Sequence, residues 1–312
     1  MKSKPNTHQR IDHAQGWAVC AVIIIMGLFP AGASALTIRY EGTGCPLPAA
    51  VVQTIHRELP RIIRCHWTLF RKSLPADFTI TYHVCSTREE YNFLTKQLGI
   101  GAGTSGFARN SKPRTLLRQR NSELTIISAA TEVTTWRQES TRRLVAVLLH
   151  ETTHAVSQAY LVNPPLWFKE GSAELLGVPS TARNDIDQLE AMERWQTLRK
   201  LLDDGKLPPL RAFLKAGSYA EWGRLCDGNT GQGYRVSYSL FHFFLSHRQT
   251  VPFLTSLVDS QLMAESRNPN ETFVNYLEQH WQGGLALFEK GWHSWIRLQA
   301  QKYSSFKADP KD

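Results

Sequence analysis

The sequence is poor in cysteine and has no long membrane-spanning run. It contains five cysteines in 312 residues, and none stands in the C-x-x-C spacing of zinc-thiolate sites, which argues against thiolate ligands. The apolar run Trp17–Phe29 is too short for a comfortable membrane span of about 20 residues. We find no internal repeat and no nucleic-acid-binding motif. These absences leave a globular protein, and 42% hydrophobic with 20% charged residues is typical of a chain with a sizeable core.

The N-terminal segment has the features of an export signal. Basic residues between Lys2 and Arg10 precede the apolar run, and Ala33 and Ala35 follow it with the A-x-A spacing of a cleavage site. We therefore expect residues 1–35 to be a signal peptide and the mature protein to be periplasmic or secreted. An uncleaved N-terminal membrane anchor is the alternative.

Four cysteines remain after this segment. Cys45, Cys65, Cys85 and Cys226 are an even number in an exported chain, which permits two disulfides. Their spacing does not determine the pairing. A helix between Cys45 and Cys65 would hold them about 30 Å apart, so those two meet only if the chain breaks at Pro60. We expect all four thiols to be oxidised after export.

The pattern beyond residue 35 predicts an α+β protein in two lobes. β-rich stretches separated by helical ones indicate a small N-terminal α/β lobe with a mixed sheet over residues 36–135. From 136 to 302 the pattern is helical throughout, which indicates a helical lobe, and 303–312 is expected to be an unstructured tail. The strands are expected at 36–40, 78–84 and 124–129.

The segment after the second strand contains local start and stop signals. Ser86 and Glu89 have the spacing of a capping box, and Gly99 is a typical helix stop. The glycine-rich stretch that follows predicts a loop with a short strand at 104–108.

The stretch "LLHETTHAVSQAY", Leu148–Tyr160, carries the strongest chemical signal. His150 and His154 are four residues apart, so on a helix both imidazoles lie on one face and can bind one metal ion. Glu151 is rotated by about 100° from His150, which directs its carboxylate beside the metal, toward a bound water. A catalytic zinc site needs this combination of two ligands and a neighbouring base.

The next predicted helix, 166–176, supplies a candidate third ligand. Pro164-Pro165 ends the motif helix, and Glu170 and Glu174 follow four residues apart, so they face the same way. We expect Glu170 to be the third protein ligand, with the fourth position left to water. Glu174 is then expected to accept a hydrogen bond from a ligand imidazole. Two surface carboxylates on an amphipathic helix are the alternative.

"HETTH" followed by "EGSAE" resembles the gluzincin branch of the zinc metallopeptidases. Within it, the chain is similar to the small bacterial peptidase-MA-like proteins, distant relatives of the aminopeptidase N and thermolysin groups. The resemblance covers about 124–245 and the late stretch "LALFEKGWHSWI". It implies one zinc ion with Glu170 as third ligand and Glu174 against a ligand histidine, at the junction of the two lobes. The interval from His154 to Glu170 is shorter than in the aminopeptidases, and their glycine-rich motif for a free amino terminus is missing, so aminopeptidase specificity is not supported.

The resemblance also implies a tyrosine that stabilises an oxyanion. In "GYRVSYSLFHFFL", Tyr234 stands where the family has its catalytic tyrosine, with Ser237 as the small residue and His242 as the histidine of the pattern. Tyr238, one turn later, is a competitor, and a tyrosine at a helix start also packs in ordinary cores. A histidine such as His242 is more often a core residue than a site residue.

Together these residues predict a zinc-dependent hydrolase that cleaves peptide bonds. Zinc bound by His150, His154 and Glu170 would lower the pKa of its water to about 7. Glu151 would act as general base, and zinc with Tyr234 would stabilise the tetrahedral oxyanion.

Two further expectations concern the substrate and the competing class of function. The strand 124–129 leads into the motif helix and is the natural edge for an extended peptide to join. The competing hypothesis is an exported binding or scaffold protein with a remnant metal site. Such sites are normally closed by four protein ligands and need no base, so Glu151 favours the enzyme.

The charge pattern adds little about partners. The net charge of +9 is moderate and scattered. Its densest stretch, Arg114–Arg120, could contact an acidic envelope polymer or anionic lipid, although such a run is more often a solvated loop. We expect a monomer whose partner is a peptide or protein substrate, with no nucleic acid.

Overall fold

The computed structural model describes residues 18–25, 36–42, 47–71, 74–75, 78–100, 104–117, 124–137, 140–161, 164–180, 185–246, 250–263 and 269–304. Within these, the side chains of 18–25, 42, 110–131, 185–188, 257–263 and 269 are outside the description. The first elements are β1 (Ala18–Ile25), β2 (Leu36–Gly42), α1 (Ala49–Phe70), β3 (Thr79–Cys85), α2 (Arg88–Gln97), β4 (Gly106–Leu117) and β5 (Leu124–Trp136). The helices that follow are α3 (Thr141–Gln158), α4 (Leu166–Leu176), α5 (Asp185–Asp203), α6 (Leu210–Lys215), α7 (Tyr219–Leu225), α8 (Thr230–Ser246), α9 (Thr250–Met263), α10 (Pro269–His280) and α11 (Gly284–Ser304).

The described strands form one mixed sheet in the order β1-β2-β3-β5-β4. β2, β3 and β5 run parallel, whereas β1 and β4 pair antiparallel at the two edges. The crossover from β2 to β3 runs through α1, as parallel neighbours require. The predicted α+β class with a mixed N-terminal sheet followed by helices is confirmed.

Residues 130–136 of β5 lie between β3 and β4, and β4 is the outer strand of the described sheet. Residues 124–129 pair with β4 on one side, whereas the register with β3 begins at Ala130, so an edge for a substrate at 124–129 stays a prediction. The stretch predicted as a loop with a short strand at 104–108 continues as strand to Leu117. Its register with β5 shifts around Lys112 and Pro113. A bulged strand of this kind lacks the regular alternation by which strands are recognised.

Helix α1 packs against the helices that follow the sheet. Val51, Ile55, Leu59 and Ile62 recur at helical spacing and are fully buried, and α1 contacts α3 and α9. The helix is continuous through Pro60. The break that a Cys45–Cys65 pair would need is therefore not present.

The prediction of two disulfides is also wrong for the described part of the chain. Cys65, Cys85 and Cys226 are free thiols. They lie on α1, at the end of β3 and just after α7, and these elements bring no two of them together. Cys45 lies outside the described residues.

α2 begins one residue later than predicted. Thr87, and not Ser86, is the N-cap. The Glu90 N–H donates to Thr87 Oγ1 over 3.2 Å, and the Glu90 carboxylate accepts from the Thr87 N–H over 3.4 Å. Gly99 follows the helix with φ 66°, a left-handed conformation that glycine adopts without strain. The capping box therefore exists, shifted by one position along the chain.

Beyond β5 every described element is a helix, as predicted. α4 has the predicted bounds, and α11 reaches Ser304, so the first two residues of the expected tail are helical; 305–312 lie outside the described residues. Fully buried tryptophans from four helices fill the core of this part of the protein. They are Trp167, Trp195, Trp222 and Trp292.

The expected signal segment is described only in part. Residues 18–25 form β1 and pair antiparallel with β2, whereas the expected cleavage site lies outside the described residues. Cleavage after Ala35 would remove β1 and leave β2 at the edge of the sheet. Among the described helices, none combines the length and apolarity needed to cross a membrane.

Candidate metal centre

α3 and α4 bring the three residues predicted as metal ligands together. The Nε2 atoms of His150 and His154 lie 3.1 Å apart. Glu170 Oε2 lies 3.4 Å from His150 Nε2 and 3.5 Å from His154 Nε2. One ligand atom from each side chain falls within 4.8 Å of the others. Two imidazoles and one carboxylate at this separation could hold a metal ion.

The rotation of α3 is set by the side of the helix that faces the sheet. Thr152, between the two histidines in sequence, donates to the Leu148 carbonyl over 2.6 Å and accepts from the Tyr82 hydroxyl of β3 over 2.8 Å. Leu148 and Thr152 are both fully buried. With this face held against β3, the histidines are left on the other side of the helix, where they meet α4.

Close packing of α4 against α8 sets the position of Glu170. A β-carbon added at Gly171 would collide with the carbonyl oxygen of Ser237 and lie 3.0 Å from Phe241 Cβ. The two backbones can approach this closely only because residue 171 is a glycine. Ser237, the small residue of the sequence pattern, thus meets α4 through its backbone carbonyl group.

The two glutamates of α4 lie on opposite sides of the His150 ring. Glu170 approaches Nε2, whereas Glu174 Oε1 lies 3.5 Å from Nδ1. The other oxygen of Glu174 forms an ion pair with Arg194 of α5 at 3.0 Å. Glu174 thus lies between a candidate ligand and a cation of the next helix.

The carboxylates and the imidazoles of the cluster stabilise each other's charged forms despite burial. Burial lowers the pKa of His150, but Glu170 and Glu174 raise it to about 10. Burial raises the pKa of Glu170, yet the two histidines hold it well below its ordinary value. Against the same effect of burial, His150 and Arg194 lower the pKa of Glu174. Two ionised carboxylates therefore face the imidazoles, an environment that favours a positive charge among them.

Glu151 lies beside this cluster under the first residues of β4. Its side chain is buried, with 8% of the residue exposed. A β-carbon at Gly106 would lie 2.8 Å from Val147 Cγ1 and 3.0 Å from Glu151 Cγ, so the glycine lets β4 rest directly on the glutamate. Across the described chain, no hydrogen-bond donor contacts the Glu151 carboxylate.

An open cleft of about 610 Å³ gives access to these groups. One wall is formed by residues 104–108 of the β4 edge, and the other by α4, α7 and α8. Both candidate ligand histidines, Glu151 and Tyr234 line it. The predicted catalytic tyrosine is thus placed in the same cleft as the predicted base.

Sequence reasoning missed Tyr219, which also lines the cleft. Its hydroxyl donates to Glu170 Oε1 over 2.7 Å, and its ring stacks on Tyr234 with centroids 6.0 Å apart. The only local signal was the N-cap at Ser218, whose side chain accepts from the Glu221 N–H. That signal predicts the start of a short helix and says nothing about the metal centre.

Tyr238, the competing tyrosine, and His242, the histidine of the pattern, lie outside the cleft. The guanidinium carbon of Arg194 lies over the ring of Tyr238, 4.2 Å from the ring centroid. His242 accepts from Trp295 Nε1 over 3.3 Å, and burial lowers its pKa to about 4. Neither lines the cleft, so Tyr238 is not a competitor for the site and His242 is a packed histidine.

Comparisons with known proteins identify a distant likeness. No protein-family model matches the sequence, and no curated protein matches it. Among solved structures, the chain is similar to an aminopeptidase N family protein from Idiomarina loihiensis, with a TM-score of 0.40 and 11% sequence identity. The match covers 86% of this chain and 46% of that chain, so this chain spans less than half the length of that protein. At this similarity the likeness assigns neither activity nor substrate.

Proposed function

We propose that the protein is a zinc-dependent hydrolase of peptide bonds. The observation that carries the proposal is the meeting of His150, His154 and Glu170 in one cleft with Glu151, whose carboxylate has no hydrogen-bond donor among the described residues. Imidazole and carboxylate are ligands that Zn²⁺ prefers, and catalytic zinc sites use three protein ligands with one open position. The donor set therefore fits a single zinc ion, which when bound polarises a carbonyl and lowers the pKa of water.

Glu151 and Tyr234 have chemistry suited to the remaining steps. The Glu151 carboxylate takes a proton from the attacking water and returns it to the leaving nitrogen as the peptide bond breaks. Burial and Glu170 raise the pKa of Tyr234, so its hydroxyl keeps its proton. It can then donate a hydrogen bond to the oxygen that becomes negative in the transition state.

The edge strand β4 offers a path for an extended substrate. Residues 104–108 line the cleft, and an exposed strand edge can bind a peptide through backbone hydrogen bonds. The register shifts between Asn110 and Pro113 interrupt the regular edge, and Pro113 has no N–H to donate. Pairing is therefore confined to the start of β4, next to Glu151.

The alternative is a non-catalytic binding or scaffold protein with a remnant metal site. A structural zinc site is normally closed by four protein ligands. Within the described residues, the cluster contains two histidines and one glutamate and no fourth ligand. An open coordination position next to a free carboxylate favours the enzyme.

Location and partners are part of the same proposal. The features of residues 1–35 favour export to the periplasm or the medium, with an N-terminal anchor as the alternative. A monomer acting on a peptide or protein is the simplest assembly for an open cleft. The side chains of Arg114–Arg120, the candidate contact for an anionic surface, lie outside the described residues.

The substitution Glu151→Gln tests the proposal. Glutamine is nearly isosteric and leaves the three ligands unchanged, so fold and metal content should be retained. Loss of a general base costs about 10²–10⁴-fold, and hydrolysis of an unfolded protein or a peptide library should fall by that factor. Glu193→Gln, an exposed glutamate on α5, is the matched control and should keep full activity. Equal, chelator-sensitive activity in wild type and Glu151→Gln would refute the mechanism, whereas a zinc-loaded wild type without any hydrolysis would favour the remnant site.

A further inference from the structure

A second cavity, of about 700 Å³, adjoins the metal centre. It lies between α1, the first turns of α3, the end of α4 and α5, and it shares Ala146, His150 and Glu174 with the metal cleft. We call it the arginine cavity because four guanidinium groups line it. They belong to Arg57, Arg142, Arg143 and Arg194.

The arginine cavity continues the metal-binding face of α3 toward its N-terminus. Arg142, Ala146, His150 and His154 recur every four residues, so they lie along one side of the helix. Eight residues of helix separate Arg142 from His150, a rise of about 12 Å. An extended peptide spans that distance in about three to four residues at ~3.3 Å each. A chain bound over the metal centre can therefore reach the arginines.

The lining of the arginine cavity carries an excess of positive charge. Its carboxylates are Glu174, which pairs with Arg194 at 3.0 Å, and Glu190, which pairs with Arg142 at 2.8 Å. Arg143 is exposed and forms no ion pair with any residue in the described ranges. The N-terminus of α3, at the same place, adds the positive end of a helix dipole.

The arginines of this lining differ in how they are held within the protein. Arg194 Nη1 is buried and has no hydrogen-bond partner among the residues described. Arg57 contacts Glu58 at 3.2 Å, but Glu58 also binds Arg61 at 2.9 Å and accepts two hydrogen bonds from Ser180. The charge of Glu58 is thus shared between two arginines. Guanidinium groups in such surroundings are suited to binding a carboxylate.

We propose that the arginine cavity binds a carboxylate of the peptide substrate, three or four residues from the bond that is cleaved. This substrate class rests on the proposed peptidase function. The carboxylate can belong to an aspartate or glutamate side chain or to the C-terminus of the peptide, since both present the same group to the arginines.

Paired synthetic peptides test the proposal with the zinc-loaded enzyme. Each pair differs by Glu or Gln at one position three or four residues from the cleaved bond, on either side. We expect kcat/KM to be about tenfold higher for the Glu peptide at the position that reaches the cavity, the effect of one charge-assisted hydrogen bond. The preference should shrink at high salt because the arginines are partly exposed. Equal rates for Glu and Gln at every position would overturn the proposal.

Three variants locate the effect. Arg142→Gln combined with Arg143→Gln should bring the Glu-to-Gln ratio close to one. Glu190→Gln should raise the ratio, because Arg142 loses the carboxylate that competes with the substrate. Arg211→Gln is the control: Arg211 is an exposed arginine of α6 that pairs with Glu278, and its loss should leave the ratio unchanged. A preference that persists in the double variant contradicts the assignment to this cavity.

Direct binding separates this inference from the proposed function. Fluorescent Glu and Gln peptides are titrated with zinc-loaded Glu151→Gln protein and followed by anisotropy. If the wild type hydrolyses no peptide, the peptidase proposal fails, yet a lower Kd for the Glu peptide that depends on Arg142 and Arg143 still supports the carboxylate site. C-terminal amidation distinguishes the two sources, since a preference lost on amidation identifies the terminal carboxylate. Equal Kd values for both peptides would refute the site.

Discussion

The Tyr219 hydroxyl donates a 2.7 Å hydrogen bond to Glu170 Oε1, while Oε2 of the same carboxylate lies within 3.5 Å of both histidine Nε2 atoms. The short helix α7 therefore reaches the metal centre from 49 residues further along the chain. Burial and the charge of Glu170 raise the pKa of Tyr219, so the hydroxyl remains a donor. The contact holds one carboxylate oxygen of Glu170 and leaves the other facing the histidines.

Tyr219→Phe should weaken metal binding without unfolding the protein. Removing a group that orients a ligand typically costs 10–100-fold in metal affinity, and we expect a loss in that range, measured by competition with a chromogenic zinc chelator. Tyr234→Phe is the matched control. It should keep the metal affinity and instead lower kcat, by up to about 10²-fold, because an oxyanion donor is lost. Wild-type affinity in Tyr219→Phe would show that its hydrogen bond does not position Glu170.

Elemental analysis of four alanine variants distinguishes ligands from supporting residues. Wild type should contain about one zinc per chain, and His150→Ala, His154→Ala and Glu170→Ala should each lose most of it. Glu174→Ala should retain zinc with reduced affinity, because Glu174 contacts the Nδ1 atom of His150 and not its Nε2. A full site in Glu170→Ala together with an empty one in Glu174→Ala would reverse the two roles.

Gly171→Ala should destabilise the protein and disturb the metal centre. The added methyl group collides with the Ser237 carbonyl oxygen, a backbone atom that cannot rotate away, and overpacking of this kind costs about 1–3 kcal/mol. The midpoint temperature of thermal unfolding should fall. Zinc content should fall as well, because Glu170 is the residue next to Gly171. Gly223→Ala is the control, because its methyl group would meet only Thr230 Cγ2 at 3.6 Å. If both substitutions have the same effect, the close approach of α4 and α8 is not what positions Glu170.

The buried histidine of α1 predicts a loss of stability in acid. His66 lies between the Ile62 carbonyl at 2.8 Å and Ser157 Oγ at 2.7 Å, and burial lowers its pKa from 6.5 to about 4. As the pH falls below about 6.5, the His66 imidazole takes up a proton in the unfolded chain but stays neutral in the folded protein. The free energy of unfolding should therefore decrease between pH 6.5 and 4.

Denaturant titrations across this pH range, for wild type and His66→Gln, isolate the contribution of His66. The variant is expected to be less stable above pH 7, where it lacks the two hydrogen bonds of the imidazole. Its stability should fall less steeply in acid, so the two curves converge as the pH approaches 4. Parallel curves would show that His66 does not remain neutral in the folded protein.

Several features could be predicted from the sequence because they depend on residues close together in the chain. The four-residue spacing of His150 and His154 places them on one helical face, and α4 begins at Leu166, directly after Pro165, as predicted. The edge strand could not be recognised in this way, because the register shifts at Lys112 and Pro113 obscure it and its order in the sheet depends on pairing with β5. The cysteine count permitted disulfides, but pairing requires spatial proximity that their separate elements do not provide.

The sequence by itself determined the candidate ligands, the candidate base and the α+β class, since these follow from helical periodicity and from the chemistry of the side chains. Only the tertiary structure decided that Tyr219 binds Glu170, that β4 is the edge strand over Glu151, and that Arg57, Arg142 and Arg194 border one cavity. The reason is physical: these contacts join α1, β4, α3, α4, α5 and α7, whose relative positions are set by packing of the whole core. No local pattern contains that information.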